Sequence, residues 1–295
     1  MLSVLIPTLN YDPGKTVQSL HRQLLDAGIV FEIRIADDDP ESEMGGKYAA
    51  LETLESVVTA IRPTNLGRFD NRAALAREAQ YPRLLFLDED VLVPSDFIAK
   101  YHMYIDSSNA VFGGMMYSSL PPDDSAKHLR WKYGKKREAW NASMRNQSPY
   151  ARLMTCNFLI SRDAFLKLPR HDELRGYGHE DTMMGYDLKY AFVEVIHIDN
   201  PVTHEQIDDA GDFIRKTDEG LANLFRLISA GKVDEEVRLY KLYNKLKKSG
   251  LTGIPATYVK RNFKGIVRRL SRENPPLRLF DLYKLGVLCG MKDIS

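Results

Sequence analysis

The first third of the chain alternates between short apolar runs and amphipathic stretches. The runs LSVLIPT, FEIRIADDD, VVTAIRP and RLLFLDED have the length and composition of buried strands. Between them, GKTVQSLHRQLLDAG, YAALETLES and NRAALAREAQ place apolar residues at helical spacing. Strands and helices that alternate in this way predict βαβ units, and therefore an α/β fold with a mainly parallel sheet flanked by helices.

The pattern changes further along the chain. The runs AVFGGMM, TCNFLIS and AFVEVIHID predict more strands, and a polar, aromatic-rich stretch at 118–150 lies among them. This stretch is long for a connection inside a compact domain, which favours a functional loop or a small subdomain. From about Gln206 the pattern is helical. We therefore predict an α/β domain over residues 1–205 and a helical C-terminal extension over residues 206–295.

Composition narrows the class of protein. The two cysteines, Cys156 and Cys289, are too few for a disulfide framework or a cysteine-rich zinc site, and they fit a reducing compartment. The N-terminal stretch MLSVLIPTLNYDPG has no basic leader, and no run approaches the ~20 apolar residues that span a bilayer. We expect a cytoplasmic protein.

Charge is distributed unevenly along the chain. Residues 232–295 contain 15 basic and 6 acidic side chains, a net charge of +9, whereas residues 1–231 have a net charge of −8. A basic segment with interleaved apolar residues can contact an anionic membrane surface. Solvated helix faces, a helical cap on the α/β domain and an oligomer contact are the alternatives. We expect no nucleic acid partner.

Polar residues follow each of the first four predicted strands. They are the stretch Pro7 to Tyr11, the stretch Asp37 to Pro40, Asn65 to Gly67 with Arg72 soon after, and the triplet Asp88 to Asp90. Ligands of open α/β sheets bind outside the carboxyl ends of the strands, so we expect these residues to converge on one rim. The sequence contains neither the glycine fingerprint of a dinucleotide site nor that of a P-loop, and both are disfavoured.

The acidic triplet is a candidate cation site. If the chain is still extended there, Asp88 and Asp90 point to one side and Glu89 to the other. Two carboxylates on one side suit a hard divalent cation such as Mg²⁺ or Mn²⁺, which in turn can bind a diphosphate. His204, in the stretch NPVTHEQ, is a candidate nitrogen ligand, although a lone histidine near a strand end is more often structural.

A second acidic motif occurs in the stretch LRGYGHEDTMMGYDL. Glu180 and Asp181 precede a predicted helix and follow two glycines, Gly176 and Gly178. Acidic residues in the first turn of a helix can simply cap it and interact favourably with the helix dipole. The glycines, however, allow a close backbone approach or a positive φ beside the acids, and a carboxylate so placed is a candidate general base for a hydroxyl.

Five of these segments, taken in order, resemble the motifs of inverting glycosyltransferases of family 2, which have the GT-A fold. They are SVLIPTLN, IADDD, NLGRFDNRAA, FLDED and GYGHEDTMMGYDL, and the resemblance covers residues 2–205. The last is similar to the glycine-aromatic-glycine and Glu-Asp segment of galactosyl- and N-acetylgalactosaminyltransferases. The resemblance implies a Rossmann-like GT-A fold with a nucleotide-binding half over residues 1–117 and an acceptor half over residues 118–205.

The sequence departs from the family pattern in two respects. Ala73 stands where the family often has Asn after its Arg. No Gln-x-x-Arg-Trp motif is present, which disfavours a processive polysaccharide synthase.

The resemblance also implies a role for each matching residue. The residues implied at the nucleotide are Pro7, Thr8 and Leu9 along the uridine, Asp38 at the uracil, Asn65, Gly67 and Arg72 at its border, and Asp88 at the ribose or the metal. The residues implied at Mn²⁺ or Mg²⁺ are Asp88, Asp90 and His204. Asp181 matches the catalytic base, and Glu180 is implied in holding the acceptor.

These roles together predict a metal-dependent inverting transferase. It would move a sugar from a nucleotide-sugar, a UDP-sugar by the resemblance, to a hydroxyl of a glycan or lipid-linked acceptor. Two alternatives stay open at this point. One is a nucleotidyltransferase, for which PTLNYDPGK is a poor version of the usual glycine-rich loop. The other is a non-catalytic nucleotide-binding protein on the same fold.

Overall fold

The computed structural model describes residues 1–292, which form two compact units. The first unit consists of Met1–Tyr117, Ala139–Arg170 and Met184–Gln206. The second unit consists of Ser118–Glu138, His171–Met183 and the chain from Ile207 onward. The predicted domain boundaries stay a prediction. Two segments of the predicted acceptor half, Ser118–Glu138 and His171–Met183, belong to the second unit.

Strands occur at the positions that the apolar runs predict, and two further short strands, β5 and β10, were not predicted. They are β1 (Leu2–Thr8), β2 (Phe31–Asp37), β3 (Val57–Ile61), β4 (Arg83–Leu87), β5 (Val91–Leu92), β6 (Ala110–Phe112), β7 (Met115–Met116), β8 (Asn157–Ser161), β9 (Val195–His197) and β10 (Val202–His204). The helices are α1 (Gly14–Asp26), α2 (Gly45–Leu51), α3 (Arg68–Glu78), α4 (Phe97–His102), α5 (His128–Arg137), α6 (Ala142–Asn146), α7 (Arg162–Leu166), α8 (Glu180–Tyr190), α9 (Ala210–Ser229), α10 (Arg238–Lys248), α11 (Gly253–Leu270) and α12 (Leu277–Gly290).

The first unit is built on a seven-stranded sheet with the order β3-β2-β1-β4-β8-β6-β9. The strands β3, β2, β1 and β4 are parallel neighbours, and β6 is parallel to β9. Only β8 runs the other way, since it is antiparallel to both β4 and β6. The predicted mainly parallel sheet is therefore confirmed, and the carboxyl ends of β1 to β4 meet at one edge.

Burial explains why β1 and β4 consist mainly of apolar residues. Nearly all their residues are buried because helices cover both faces of a parallel sheet. Aromatic rings fill the middle of the core, where Phe158 stacks against Phe86 at 4.9 Å and against Phe112 at 5.3 Å between ring centroids.

A smaller sheet with the order β5-β10-β7 completes the first unit. The strands β5 and β10 are antiparallel, with His204 opposite Val91, and β10 runs parallel to β7. This pairing places Val91 and Leu92, which follow the acidic triplet, beside His204 and Thr203.

A buried arginine holds the end of β6. The Arg145 guanidinium donates to the carbonyls of Phe112, Gly113 and Ile198 at 2.8–3.0 Å, and to His197 Nδ1 at 2.9 Å. Because a guanidinium has five N–H donors and no acceptor, a group of converging backbone carbonyls satisfies it well.

The second unit is helical. Amphipathic helices α5, α9, α11 and α12 bury one face each in a shared core that includes Leu129, Phe213, Leu270 and Phe280. At Gly286 the helices α11 and α12 approach so closely that a Cβ would lie 2.7 Å from the carbonyl oxygen of Pro255. The predicted C-terminal helical part is thus confirmed.

No helix within residues 1–292 combines the length and apolarity that a membrane crossing requires.

Candidate active site

The carboxyl ends of the first four strands are joined to one another by hydrogen bonds. The Leu9 N–H, just after β1, donates to Glu89 after β4 at 2.6 Å. The Asn10 N–H donates to Asp37 at the end of β2 at 2.8 Å. The predicted convergence of polar strand ends on one rim is therefore present in the first unit.

Asp38 organises the loop that leads into α3. Its two carboxylate oxygens accept the N–H groups of Leu66 at 2.8 Å and Gly67 at 2.7 Å, and Asn65 Nδ2 donates to its backbone carbonyl at 3.0 Å. Gly67 has a φ of +85°, which glycine adopts without strain. The side chain of Asp38 is buried and joins the loop bearing Asn65 and Gly67 to β2, while its contact with a uracil stays a prediction.

Asp37 and Tyr48 form a buried hydrogen-bond network that the sequence motifs did not predict. Asp37 Oδ2 accepts hydrogen bonds from Tyr48 Oη at 2.7 Å and from Ser42 Oγ at 2.6 Å. Tyr48 Oη also lies 2.9 Å from Thr8 Oγ1, and burial raises the pKa of the tyrosine well above its usual range. Thr8 therefore takes part in the buried hydrogen bonds beneath the rim, whereas the neighbouring Leu9 is exposed.

The acidic triplet forms a turn. β4 ends at Leu87, so the strict alternation expected for an extended chain does not apply to residues 88–90. Asp88 Oδ1 pairs with the Arg72 guanidinium at 2.5 Å. Glu89 points toward the end of β1, where burial raises its pKa to about 7, against the lowering effect of the hydrogen bond from Leu9 and with smaller increases from Asp90 and Asp88.

Asp90 and His204 lie side by side. Asp90 Oδ2 is 3.4 Å from His204 Nε2, and the Glu205 N–H donates to the Asp90 carbonyl at 2.9 Å. The Tyr117 ring stacks on the imidazole with a centroid distance of 5.9 Å. His204 Nδ1 is buried and has no hydrogen bond partner within residues 1–292.

The glycine-tyrosine-glycine turn belongs to the second unit. Gly176 and Gly178 have φ values of +68° and +106°, which confirms the conformation expected of them. A Cβ on Gly178 would lie 2.8 Å from Gly220 Cα in α9, so only glycine permits this close approach. The turn therefore holds the start of α8, with Glu180 and Asp181, against α9.

Asn223 of α9 fixes the same turn from outside the motif. Its Nδ2 donates to the carbonyls of Tyr177 at 3.2 Å and Gly178 at 3.0 Å, and its Oδ1 accepts the Arg175 N–H at 3.0 Å. Glu180 Oε2 accepts the Gly178 N–H at 2.9 Å, so this side chain reaches back and stabilises the glycine turn itself.

The comparison with known families decides the class of protein. The family described as Glycosyl transferase family 2 matches residues 3–168, more than half of the chain. This chain belongs to glycosyltransferase family 2. It is therefore a glycosyltransferase enzyme, which implies a nucleotide-sugar donor and an acceptor as its substrates, and the nucleotidyltransferase and non-catalytic alternatives are disfavoured.

Two solved structures are similar to this transferase. One is the crystal structure of S. aureus TarS 1-349, with 14% identity and a TM-score of 0.48 over 97% of this chain and 90% of that one. The other is the crystal structure of GalNAc-T7 with UDP, GalNAc and Mn²⁺, with 19% identity and a TM-score of 0.49 over 70% of this chain and 43% of that one. No curated protein matches the transferase.

The residues beside Asp90 fit a divalent cation that also binds substrate. Among residues 1–292, no three His, Cys, Asp or Glu side chains group closely enough to hold a metal by themselves. Asp90 and His204 offer one carboxylate and one imidazole, both suitable for Mn²⁺, and such ions commonly complete their coordination with water and substrate phosphates. The approach of Asp90 Oδ2 to within 3.4 Å of His204 Nε2 is the observation that favours this fit.

Proposed function

We propose that this enzyme is a metal-dependent inverting transferase that moves the sugar of a UDP-sugar to a hydroxyl of a glycan or lipid-linked acceptor. The observation that carries the proposal is the distance of 3.4 Å between Asp90 and His204, at the end of a strand whose neighbours also end in polar residues. The family membership supports sugar transfer, and the carboxylate-imidazole pair supports a cation at the diphosphate.

The nucleotide would be held by the rim of the first unit. The exposed Leu9, the loop of Asn65 and Gly67, and the Arg72–Asp88 pair are available to border it. Arg72 holds Asp88 in one orientation, so this carboxylate is ready to accept a hydrogen bond from a ribose hydroxyl. Asp38 would act chiefly by fixing the loop, and it would contact the uracil from there.

Asp90 and His204 would hold the cation. When bound, Mn²⁺ or Mg²⁺ neutralises the diphosphate and makes it a better leaving group. Asp90 supplies negative charge and His204 supplies a neutral nitrogen, while the stack with Tyr117 limits how far the imidazole can rotate.

Asp181 would remove the proton from the acceptor hydroxyl. That oxygen then attacks the anomeric carbon from the face opposite the diphosphate, and the configuration inverts. The positive φ values of Gly176 and Gly178, together with the hydrogen bonds from Asn223, give this carboxylate a defined backbone setting. Glu180 would help to hold the acceptor.

The proposal is tested by incubating the enzyme with individual UDP-sugars and measuring UDP release with and without Mn²⁺. We expect slow, Mn²⁺-dependent hydrolysis of one UDP-sugar, faster release once an acceptor is added, and a product whose anomeric proton shows inverted configuration by NMR. Release of pyrophosphate from UTP instead of UDP from a UDP-sugar would contradict the proposal, and so would retention of configuration.

We also propose that the helical extension docks on an anionic membrane, at the cytoplasmic face where a lipid-linked acceptor would lie. The support is that α11 exposes the apolar residues Ile254, Tyr258 and Phe263 together with the cations Lys260 and Lys264. Apolar side chains that enter the interface and lysines that stay at the headgroups are the two components of peripheral binding.

Sedimentation with liposomes tests this docking. We expect binding to vesicles that contain phosphatidylserine, loss of binding at high salt, and weaker binding of the double variant Ile254→Ser, Phe263→Ser. The matched control is Leu25→Ser, at an exposed leucine of α1, which should bind as the wild type does. Equal binding to neutral vesicles, or concentration-dependent oligomers without vesicle binding, would contradict the proposal.

A further inference from the structure

A cavity of about 450 Å³ lies within the second unit, and none of the candidate active-site residues described above lines it. One face of α5 forms its floor, and two loops form its walls. The first loop contains Pro121 and precedes α5, and the second contains Glu273 to Pro275 and joins α11 to α12. Its volume is within the range of small-molecule sites, which is roughly 300–1,000 Å³.

The helix α5 has two faces of opposite character. The inward face carries Leu129 and Tyr133, and Tyr133 packs against Phe213 at 5.3 Å between ring centroids. The cavity face carries residues at the spacing of one helical side, namely His128, Trp131, Lys132, Lys135 and Lys136. This face therefore combines an indole ring with three ammonium groups.

Side chains of α5 tie the first loop in place. His128 Nε2 donates to the Pro122 carbonyl at 2.8 Å, and Trp131 Nε1 donates to the Ser118 carbonyl at 2.9 Å. Lys135 Nζ donates to the Ser119 carbonyl at 2.8 Å and lies 4.8 Å from the centre of the Trp131 ring. The indole is thus held in one orientation by its own hydrogen bond and by a cation.

The second loop is held in the same way. Lys132 Nζ donates to the Pro275 carbonyl at 2.9 Å and to Asn274 Oδ1 at 2.5 Å. Both walls are therefore formed before any ligand arrives, which lowers the ordering cost of binding.

The cavity has an excess of positive charge. Lys132, Lys135 and Lys136 line it together with a single acid, Glu273. Within the part of the chain that the structure describes, none of the three lysines forms an ion pair, and Lys136 is exposed. Two of the ammonium groups contact carbonyls, which leaves their positive charge uncompensated.

We propose that this cavity binds an anionic sugar, meaning a hexose that bears a phosphate or a carboxylate. The Trp131 ring provides a flat apolar surface that can pack against the C–H face of a sugar ring. Its polar N–H already has a partner, which leaves the apolar part of the indole for this contact. The lysines act as point charges for the anionic group, for which Lys is well suited. The site is additional to the nucleotide rim of the first unit and does not depend on the proposed reaction.

Intrinsic tryptophan fluorescence tests the proposal directly. The chain has two tryptophans, so Trp140→Phe leaves Trp131 as the only indole. We expect this variant to show a saturable fluorescence change with glucose 1-phosphate or with glucuronate, and the stronger of the two identifies the anionic group. Neutral glucose and inorganic phosphate should each bind at least about tenfold more weakly, because each provides only half of the contacts.

A pair of lysine variants locates the binding. In the Trp140→Phe background, Lys136→Gln should raise the Kd of the preferred sugar about twofold to fivefold, as expected for an exposed charge near an anion. Lys241→Gln, at an exposed lysine of α10 outside the cavity, should leave the Kd unchanged. Both positions are exposed, so neither change should disturb folding.

Three results would overturn the proposal: no saturable change with either sugar, inorganic phosphate binding as tightly as glucose 1-phosphate, or the same Kd for Lys136→Gln and Lys241→Gln. Failure of the proposed reaction is seen separately. Absence of UDP release from every UDP-sugar, with saturable binding at Trp131, would reject the reaction and retain the anionic sugar site.

Discussion

Asp90 Oδ2 lies 3.4 Å from His204 Nε2 because β5 and β10 pair in antiparallel register directly after the acidic turn. The two residues are far apart in the sequence, and each alone would be unremarkable. The register of two very short strands places them side by side at the end of β4.

Asp90→Asn and His204→Gln should each weaken the stabilisation that UDP with Mn²⁺ gives to the enzyme. We expect the apparent affinity for Mn²⁺ to fall at least about tenfold, and the double variant to be little worse than either single one, since both remove the same site. Thermal unfolding with UDP, in the presence and absence of Mn²⁺, measures this. His102→Gln, at an exposed histidine of α4, is the control. A wild-type shift in His204→Gln would exclude His204 as a ligand.

Asp181→Asn should slow transfer about 10²–10⁴-fold, which is roughly 3–5.5 kcal/mol, because the acceptor hydroxyl would lose its base. Binding of UDP with Mn²⁺ should persist. Initial rates of UDP release with acceptor measure the first effect, and thermal shifts measure the second. Asp123→Asn, at an exposed residue of the same unit, should keep the wild-type rate. A rate for Asp181→Asn within about twofold of the wild type would remove Asp181 from the mechanism.

Asp38→Asn should lower the free energy of unfolding by about 1.5–3 kcal/mol, since the amide group can accept only one of the two N–H groups from Leu66 and Gly67. Urea denaturation of the variant and the wild type measures the loss. Asp26→Asn, at an exposed position near the end of α1, should change little. If both substitutions had the same effect, the loop would not depend on the Asp38 carboxylate.

Gly178→Ala and Gly265→Ala should have effects of opposite sign. Gly178 has a φ of +106° and a neighbour at 2.8 Å, so the alanine should destabilise the enzyme by about 1–3 kcal/mol and reduce transfer. Gly265 lies inside α11 with nothing within 4 Å of its added Cβ, and the same change should stabilise by about 0.5–1 kcal/mol. Urea denaturation compares them, and equal signs would contradict the strain argued for Gly178.

Acid should destabilise the fold through His197. Burial, assisted by Arg145 and Arg152 and opposed by the Pro149 carbonyl, lowers its pKa to about 4, whereas the unfolded histidine has a pKa of about 6.5. The unfolded chain therefore takes up a proton first as pH falls, and stability present above about pH 6.5 is lost toward pH 4.

For His197 alone the loss should be about 1 kcal/mol at around pH 5.5. Urea denaturation at around pH 7 and around pH 5.5 measures it, and His197→Gln should remove that part of the pH dependence. His102→Gln should retain it, because that side chain is exposed. His179, whose pKa burial also lowers to about 4, should contribute a similar loss of its own. An unchanged pH dependence in His197→Gln would contradict the prediction.

The fold was largely predictable because its central strands are buried on both faces. The runs that became β1 and β4 are mainly apolar, and the alternation of strands with helices predicts a parallel arrangement. The antiparallel direction of β8 was not predictable, since the period of a buried run carries no information about its direction.

Side chains that act across the rim were harder to predict. Glu89 appeared to face away because the alternation of an extended strand was assumed, yet the chain turns after Leu87 and directs the acid toward the Leu9 N–H. Tyr48 and Asn223 contact the rim and the glycine turn from helices whose sequences carry no motif. Such partners depend on tertiary packing, which local patterns do not encode.

The pairing of β10 with β5 also has a consequence for the order in which the protein is made. A ribosome-bound chain that ends before Val202 already contains the strands β1 to β4 and the acidic turn, but it lacks His204. The carboxylate-imidazole pair therefore forms only after translation has passed residue 204, long after the strands that surround it have been synthesised.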